Sequence, residues 1–248
     1  MLATLVLGGK KCQIDLSKPM DISIPLRHGE GNPTAWYQAP PTIKPNQTDG
    51  YVGSVAQGGT VNFNDITFNP HAHGTHTECL GHITEEVFSV NQCLQRYFFK
   101  GLLVTVAPEK QGDDWVISKE QLRYVLGRKK PEALIIRTLP NTNDKLSQQY
   151  SHSNPPYILE EAMTYLVQQG IQHLLVDLPS VDKEKDGGAL LAHKAFWQIH
   201  EAPRKHATLT ELVFVPNTIS DGTYVLNLQV APFENDASPS RPVMYGFE

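Results

Sequence analysis

The chain has 248 residues, and its 21 lysines and arginines against 26 aspartates and glutamates give a formal net charge of −5. A chain of this length buries roughly 70% of its unfolded surface, so folding needs neither disulfides nor a structural metal, and we expect one domain over residues 1–248. The acidic balance, with no basic block longer than Arg128-Lys129-Lys130, excludes the charge pattern of a nucleic-acid-binding or membrane-surface protein.

The N-terminal part of the chain is rich in glycine, proline and asparagine, and Thr4–Leu7 and Gln13–Leu16 there have the composition of strands. The only apolar run near the N-terminus, Leu2–Leu7, is too short for the apolar core of a signal peptide or for a membrane span. Three cysteines are an odd number, too few for a disulfide framework, which is typical of a reducing compartment. We therefore expect a cytoplasmic protein that does not enter a membrane.

Strands and helices alternate from residue 101 onward. Ser118 and Gln121 form the Ser-x-x-Gln pattern of a capping box, which predicts a helix through Leu126. A second helix is predicted to begin at Asn154-Pro155-Pro156 and to end at Gly170, because its apolar residues follow the 3.6-residue period. Buried strands are predicted around these helices, at Leu102–Val106, Ala133–Ile136 and Leu174–Val176. Strands that alternate with helices pair in parallel through crossovers, so this half is predicted to be α/β.

The last third of the chain returns to strands. A helix is predicted at Leu190–Ile199, followed by extended segments at Glu211–Val215 and Thr223–Val230. Apolar and polar residues alternate in the last of these segments, which is typical of a strand with one face toward the core. The sequence as a whole predicts an α/β fold with strand-rich ends.

Histidines are concentrated in one segment. Four of the ten histidines lie within twelve residues, at His71, His73, His76 and His82. Together with the carboxylate of Glu78, these imidazoles are the ligand types for zinc, manganese or iron. His76, Glu78 and His82 are an even number of residues apart, so an extended segment would point all three to one side. Gly74 and Gly81 disfavour a helix, and we predict a loop or irregular strand around a metal site.

A catalytic metal also needs ligands from distant parts of the chain. The candidates are His193 inside the helix predicted at 190–199 and Glu211 at the start of a predicted strand. Cys79 offers a different chemistry, as a nucleophile paired with a histidine. It is an odd number of residues from His76 and Glu78, however, so in an extended segment its side chain would point to the opposite side. The sequence has none of the signatures of a serine-hydrolase elbow, a phosphate-binding loop or a dinucleotide-binding fold.

The segment Asn69–His82 resembles the signature His-x-Gly-Thr-His-x-Asp-x-Pro-x-His of the cyclase family of metal-dependent hydrolases, which includes bacterial kynurenine formamidases. Gly74-Thr75-His76 and His82 fall in register with this signature. The resemblance continues, in the family's order, at Asp177–Asp182, His193, Glu211 and Asp236–Arg241. Several motifs in the same order make the resemblance specific.

The signature departs from the family's at three positions, with Glu78 for its aspartate, Leu80 for its proline and Ala72 at the ungapped place of its first histidine. A one-residue insertion would give the role of that first histidine to His71, and His73 is the other candidate. We prefer His71, because Pro70 before it is similar to the family's Pro-His pair.

The resemblance implies a swivelling β/β/α domain, in which helices flank a mixed, barrel-like sheet, and a homodimer or larger homo-oligomer. It implies a cofactor of one or two metal ions, Zn²⁺ or Mn²⁺. The implied metal ligands are His71, His76, Glu78, His193 and Glu211. The loop from Asp177 through Ser180 to Asp182 is expected at the edge of the site, where its carboxylates would orient metal-bound histidines.

For function, the resemblance implies hydrolysis of a C–N bond in a small amide-like substrate, either an arylformamide or a cyclic amide. A metal would lower the pKa of bound water toward about 7 and so yield hydroxide, and His82, matched to the family's catalytic histidine, would act as general acid/base. Two alternatives stay open. One is a lyase, isomerase or cyclising enzyme on the same scaffold, and the other is a non-catalytic binding protein, which the departures at Glu78 and Ala72 favour.

Overall fold

The structure is a computed structural model that describes residues 1–7 and 9–248. Its strands are β1 Leu2–Leu7, β2 Lys10–Asp15, β3 Met20–Asp21, β4 Thr42–Pro45, β5 Gln47–Thr48, β6 Tyr51–Val52, β7 Asn64–Thr67, β8 His76–Glu78, β9 Phe98–Val106, β10 Glu109–Gln111, β11 Asp114–Ile117, β12 Ala133–Thr138, β13 Tyr157–Ile158, β14 His173–Val176, β15 Thr208–Glu211, β16 Gly222–Asn227, β17 Ala237–Pro239 and β18 Val243–Tyr245. Its α-helices are α1 Val90–Cys93, α2 Lys119–Leu126, α3 Glu160–Gln168 and α4 Leu191–Trp197.

One curled, mixed sheet organises the fold, with nine strands in the order β17-β8-β15-β14-β12-β9-β16-β18-β3. The central strands β15, β14, β12 and β9 are parallel, and α2, α3 and α4 lie in the crossovers between them. The predicted α/β fold with a mixed, barrel-like sheet flanked by helices is therefore confirmed. Within residues 1–7 and 9–248, no helix combines the length and the apolar content needed to cross a membrane.

Both faces of the central strands are buried. On β12, Leu134 and Ile136 pack with α2, α3 and α4, including the fully buried Trp197 of α4. Ala133 and Ile135 point the other way, into a second apolar cluster. Strands covered on both faces are continuous apolar runs, which is the pattern that the sequence shows at these positions.

The local chemistry of α2 agrees with its prediction. The Gln121 backbone N–H donates to Ser118 Oγ, and the Ser118 N–H donates to the Gln121 side chain at 3.1 Å, so the capping box is present.

The helix predicted at 190–199 is shorter in the structure, where α4 spans Leu191–Trp197, because Leu190 and Gln198 on either side of it have positive φ. Residues in the left-handed region do not continue a right-handed helix.

The second predicted helix begins later than the sequence indicates. Residues Tyr157–Ile158 form β13 and pair in parallel with β11, so α3 begins at Glu160. A residue that precedes proline is disfavoured in the helical region, and Asn154 has a φ of 47°. Pairing with a distant strand therefore determines the structure of this segment.

The strand predicted at Glu211–Val215 is also displaced. The observed strand, β15, runs from Thr208 to Glu211, so Glu211 is its last residue and not its first. The strand stops there because Leu212 has a φ of 54°, which is outside the extended region. The strand predicted at Thr223–Val230 ends earlier than expected, at Asn227. Glu211 consequently lies at the carboxyl end of a parallel strand.

The sheet register brings distant residues to this carboxyl edge. Strand β8 lies between β15 and β17 and is antiparallel to both. In this register His76 is opposite Glu211, and Glu78 is opposite Leu209 on one side and Ala237 on the other. The histidine-rich segment and the C-terminal strands therefore meet in one place.

Candidate metal centre

Strand β8 supplies His76 and Glu78, whose side chains point to the same side because they are two residues apart. Both side chains are fully buried. The His76 Nδ1–H donates to the Gly74 carbonyl at 3.1 Å, which leaves a free lone pair on Nε2. Gly74 has a φ of 78°, and a Cβ added there would lie 3.1 Å from the Ile24 carbonyl oxygen, so this turn needs glycine.

Glu211 lies opposite His76 in the paired strands. His76 Nε2 is 3.4 Å from Glu211 Oε2 and has no hydrogen-bond partner among the described residues. Glu211 Oε1 accepts a hydrogen bond from the Val181 backbone N–H at 3.0 Å and lies 4.0 Å from His193 Nε2. The structure therefore brings Glu211 into the cluster at the end of β15.

Glu78 occupies the middle of the cluster. Its Oε1 lies 3.0 Å from His193 Nε2, within hydrogen-bond distance. Its Oε2 is 3.0 Å from His71 Nδ1 without the alignment of a hydrogen bond, and in the described part of the chain it has no hydrogen-bond partner. Burial raises the pKa of the Glu78 carboxyl, but the imidazoles of His82 and His193 outweigh burial and hold that pKa well below its ordinary value.

His193 projects from α4, and its Nδ1–H donates to Asp182 Oδ2 at 2.5 Å. The same carboxylate accepts the backbone N–H groups of Ala192 and His193, so Asp182 both holds the start of α4 and orients the ring toward Glu78. Burial lowers the pKa of His193, but the carboxylates of Asp182 and Glu78 outweigh burial and raise that pKa to about 10. Asp182 lies where the sequence predicts an orienting carboxylate.

The two candidates for the first histidine ligand have different surroundings. His71 lies 3.0 Å from Glu78 through Nδ1 and 2.8 Å from Asp236 through Nε2. Burial lowers the pKa of His71, but the hydrogen bond to Asp236 and the adjacent Glu78 carboxylate outweigh burial and raise that pKa to about 10. His73 is turned away, because its Nδ1 accepts the Asn69 N–H and its Nε2–H donates to the Ala39 carbonyl. The structure thus brings His71, and not His73, to the cluster.

His82 lies at the open side of the cluster. It belongs to a 3₁₀ turn at Leu80–Ile83, so the argument from an extended segment applies to His76 and Glu78 but does not reach His82. Its ring stacks on that of His71 with centroids 4.2 Å apart, and its Nε2 lies 3.9 Å from Glu78 Oε2. The side chain is 32% exposed, whereas those of His76 and His193 are buried. His82 therefore has the most exposed side chain among the histidines of this cluster.

Asp236 is a site residue for which the sequence analysis predicts no role. It directly precedes β17, and its Oδ2 is 2.8 Å from His71 Nε2 and 3.2 Å from His82 Nδ1. Hydrogen bonds from the two imidazoles hold the pKa of its carboxyl well below the usual range. The C-terminal motif that begins at Asp236 is the one signal in the sequence that points to this residue.

Asp177 does not contact a histidine, contrary to the prediction for its loop. Its carboxylate accepts hydrogen bonds from the Thr138 N–H and hydroxyl, both at 2.8 Å, and pairs with Lys145 Nζ at 2.7 Å. This buried pair joins the ends of β12 and β14. Ser180 Oγ accepts the Asp182 N–H at 3.1 Å, so Ser180 shapes the loop that holds Asp182.

The donor set fits a transition-metal ion. Ligand atoms of His71, His76 and Glu78 lie within 4.8 Å of one another, as do those of Glu78, His82 and His193. Buried polar atoms without partners cost free energy, and His76 Nε2 and Glu78 Oε2 are two such atoms within the described residues. Imidazole and carboxylate donors suit Zn²⁺, Mn²⁺ or Fe²⁺.

A family model described as "Putative cyclase" matches residues 14–183, which is more than half of the chain. The chain belongs to this cyclase family. The cyclase-family match includes β8 and Asp182, whereas His193, Glu211 and Asp236 lie beyond its end. No curated protein sequence matches the chain.

Solved structures resemble this cyclase-family protein over nearly its whole length. An isatin hydrolase bound to the product analogue thioisatinate has a TM-score of 0.68 and 15% identity, with 93% of each chain covered. Isatin hydrolase A from Labrenzia aggregata, bound to benzyl benzoate, has a TM-score of 0.66 and 14% identity, with 93% of this chain and 94% of that chain covered. A predicted metal-dependent hydrolase from Bacillus stearothermophilus has a TM-score of 0.64 and 16% identity, with 92% and 98% covered. These likenesses show a shared fold.

Proposed function

We propose that the protein is a metal-dependent hydrolase that cleaves the C–N bond of a small amide-like substrate. The observation that carries the proposal is the pair of buried, unpartnered atoms His76 Nε2 and Glu78 Oε2, as found within the described residues, next to the accessible ring of His82. Buried lone pairs without partners favour a bound cation, and an accessible imidazole beside them favours catalysis.

The ion would be held by side chains that the fold already orients, namely His71, His76, Glu78, His193 and Glu211. A bound divalent ion supplies two kinds of chemistry, polarisation of a carbonyl and acidification of water. Asp182 keeps the His193 ring in place through its 2.5 Å hydrogen bond. The Val181 N–H does the same for Glu211. Zn²⁺ and Mn²⁺ are the two ions we propose, in one or two copies.

His82 would carry the proton in this reaction. Its Nδ1 is occupied by Asp236 at 3.2 Å, so its Nε2 is the atom free to take or give a proton at the substrate. Departure of an amide nitrogen requires a proton, and a positioned imidazole can deliver it near neutral pH. His82 also has the exposure that His76 and His193 lack.

For the substrate we favour a cyclic amide over an arylformamide. Support comes from the isatin hydrolases of similar fold, since isatin contains a cyclic amide. The substrate is a small molecule in either case, and we propose that the enzyme works as a homodimer or larger homo-oligomer, which light scattering on the purified protein would test.

A cysteine nucleophile is not supported by the geometry. Cys79 is buried, and its thiol donates to the Phe88 carbonyl at 3.4 Å. The contact with Cys93, together with burial, raises the pKa of the Cys79 thiol far above its usual range. The reactive thiolate is therefore disfavoured.

Elemental analysis combined with a substrate panel tests the proposal. Purified protein loaded with Zn²⁺ or Mn²⁺ should hold at least about one equivalent and should hydrolyse members of a panel of isatins, cyclic imides, arylformamides and lactones. In water labelled with ¹⁸O, hydrolysis should place one labelled oxygen in the product, whereas elimination by a lyase or rearrangement by an isomerase would incorporate no labelled oxygen. Occupancy below about a tenth of an equivalent after loading would overturn the proposal and favour a non-catalytic binding protein.

A further inference from the structure

One oxygen atom serves two histidines at the edge of the cluster. Asp236 Oδ2 lies 2.8 Å from His71 Nε2 and 3.2 Å from His82 Nδ1. The two rings are stacked, with an interplanar angle of 28°, so both reach the same carboxylate from adjacent positions. The carboxylate of Asp182, in contrast, contacts a single imidazole among the described residues, that of His193.

An ionised carboxylate can only accept hydrogen bonds, so both facing ring nitrogens must carry a proton. A ring that binds a metal or acts as a base must be in its neutral form, with one N–H and one lone pair, and in that form the lone pairs belong to His71 Nδ1 and His82 Nε2. These are the two atoms that face Glu78 Oε2, at 3.0 Å and 3.9 Å. One carboxylate thus determines which nitrogen of each ring is available inside the site.

We propose that Asp236 is a positioning residue that fixes the tautomers of His71 and His82 together. His71 then binds the metal through Nδ1, and His82 presents a basic Nε2 to the substrate. The inference rests on the proposed function, because it gives roles to a metal ligand and to a proton carrier.

The fold holds Asp236 independently of the two histidines. Its backbone carbonyl accepts the Cys79 N–H at 3.0 Å, and the next residue, Ala237, pairs with Glu78 in the sheet. The preceding Asn235 carbonyl accepts the Val90 N–H at 2.8 Å. The backbone that carries the carboxylate is therefore held by the sheet and not by the two histidines.

The variant Asp236→Asn tests the inference, because it keeps the side-chain shape and replaces the acceptor by an amide whose NH₂ can select the wrong tautomers. We expect Zn²⁺ affinity, measured by competition with a chelator, to fall about 10–100-fold. We also expect ¹⁵N spectra of the histidine rings in the zinc form to show His82 as the Nδ1–H tautomer in the wild type and not in the variant. Glu234→Gln is the matched control, since this exposed carboxylate two residues away accepts hydrogen bonds from Asn91 and Gln92, outside the histidine cluster, and should change neither readout.

A second substitution separates the two effects of Asp236. In a His82→Ala background, Asp236→Asn should still weaken metal binding through His71, but at saturating metal it should lower kcat no further. If circular dichroism shows that Asp236→Asn does not fold, Asp236→Glu and Asp236→Gln replace it. These two side chains have the same length as each other, so they differ only in whether a carboxylate or an amide faces the histidines. Recovery of the tautomers by Glu and not by Gln is then expected.

The failure of this inference differs from failure of the proposed function. A wild type that binds metal and hydrolyses amides, with unchanged tautomers and affinity in Asp236→Asn, would overturn the role of Asp236 alone. A wild type that binds no metal would overturn the proposed function.

Discussion

Two histidines of this protein are almost equally buried, His193 at 2% exposure and His173 at 4%, but they lie at opposite ends of the parallel strands. His193 faces the carboxylates of Asp182 and Glu78, which raise its pKa to about 10. His173, at the start of β14, packs on the Phe99 ring at 4.0 Å, and burial together with Arg96 lowers its pKa to about 4.

The comparison teaches that burial does not distinguish a histidine of the candidate metal centre from one of the apolar core, whereas facing carboxylates do. The His173 ring is satisfied by the Thr208 hydroxyl at 2.9 Å and stays neutral as part of the core. The His193 ring completes a chain of charged groups from Asp182 to Glu78. Four predictions sharpen or break this distinction.

The largest expected effect follows from removing a ligand on the carboxylate-rich side. His76→Ala should lose the bound metal and all measurable turnover, while circular dichroism of the metal-free protein stays that of the wild type, because a core of this size does not depend on an ion. His73→Ala is the matched control, since His73 faces Asn69 and Ala39, and should keep its metal. Equal metal content in His76→Ala and wild type would contradict the ligand assignment.

The next effect concerns His82. His82→Ala should keep its metal but lose about 10²–10⁴ in kcat, which is the usual contribution of a positioned proton carrier. Loss of metal in this variant would make His82 a ligand, and undiminished turnover would remove it from the mechanism. Elemental analysis and steady-state kinetics on the same preparation distinguish these outcomes.

His173 gives a prediction about stability instead of activity. The folded protein keeps His173 neutral down to about pH 4, whereas the unfolded chain binds the proton below about pH 6.5. The free energy of unfolding should therefore fall by up to about 3 kcal/mol as the pH falls from 6.5 to 4. His173→Gln, which does not titrate, should lack this contribution in urea titrations at several pH values, whereas the exposed His200→Gln should retain it.

The smallest effect is expected at the residue that orients His193. Asp182→Asn keeps the shape of the side chain but weakens the hydrogen bond to His193 Nδ1, so metal affinity or activity should fall about 10–100-fold. Asp186→Asn is the control, because Asp186 caps the same loop through the Gly188 and Leu190 N–H groups without contacting a histidine. Similar losses in both variants would assign the effect to the loop and not to the ring.

Features with a local cause could be predicted from the sequence. The capping box at Ser118 depends on residues three apart, and the shared side of His76 and Glu78 follows from the period of a strand. The alternation of strands and helices after residue 101 likewise predicts the parallel sheet. Each of these depends on spacing within a short segment.

Features decided by distant contacts could not be predicted. The sequence favours His71 over His73 only through the resemblance at Pro70, whereas the physical cause lies in Asn69 and Ala39, whose contacts hold the ring of His73 away from Glu78. Asp236 reaches the site only because β17 pairs with β8, and no periodicity within the sequence shows that pairing. The start of α3 differs from its prediction for the same reason, since β13 pairs with β11.

His71 and His76 lie in different secondary structures, and this difference affects how such a centre can change during evolution. His71 comes from a turn, in which the Ala72 N–H donates to the Asn69 carbonyl, whereas His76 and Glu78 are fixed by the alternation of β8. A residue gained or lost in the turn leaves the register of β8 unchanged, but an insertion within β8 would send Glu78 to the opposite face. Divergent homologues should therefore tolerate length changes before the strand and reject them within it.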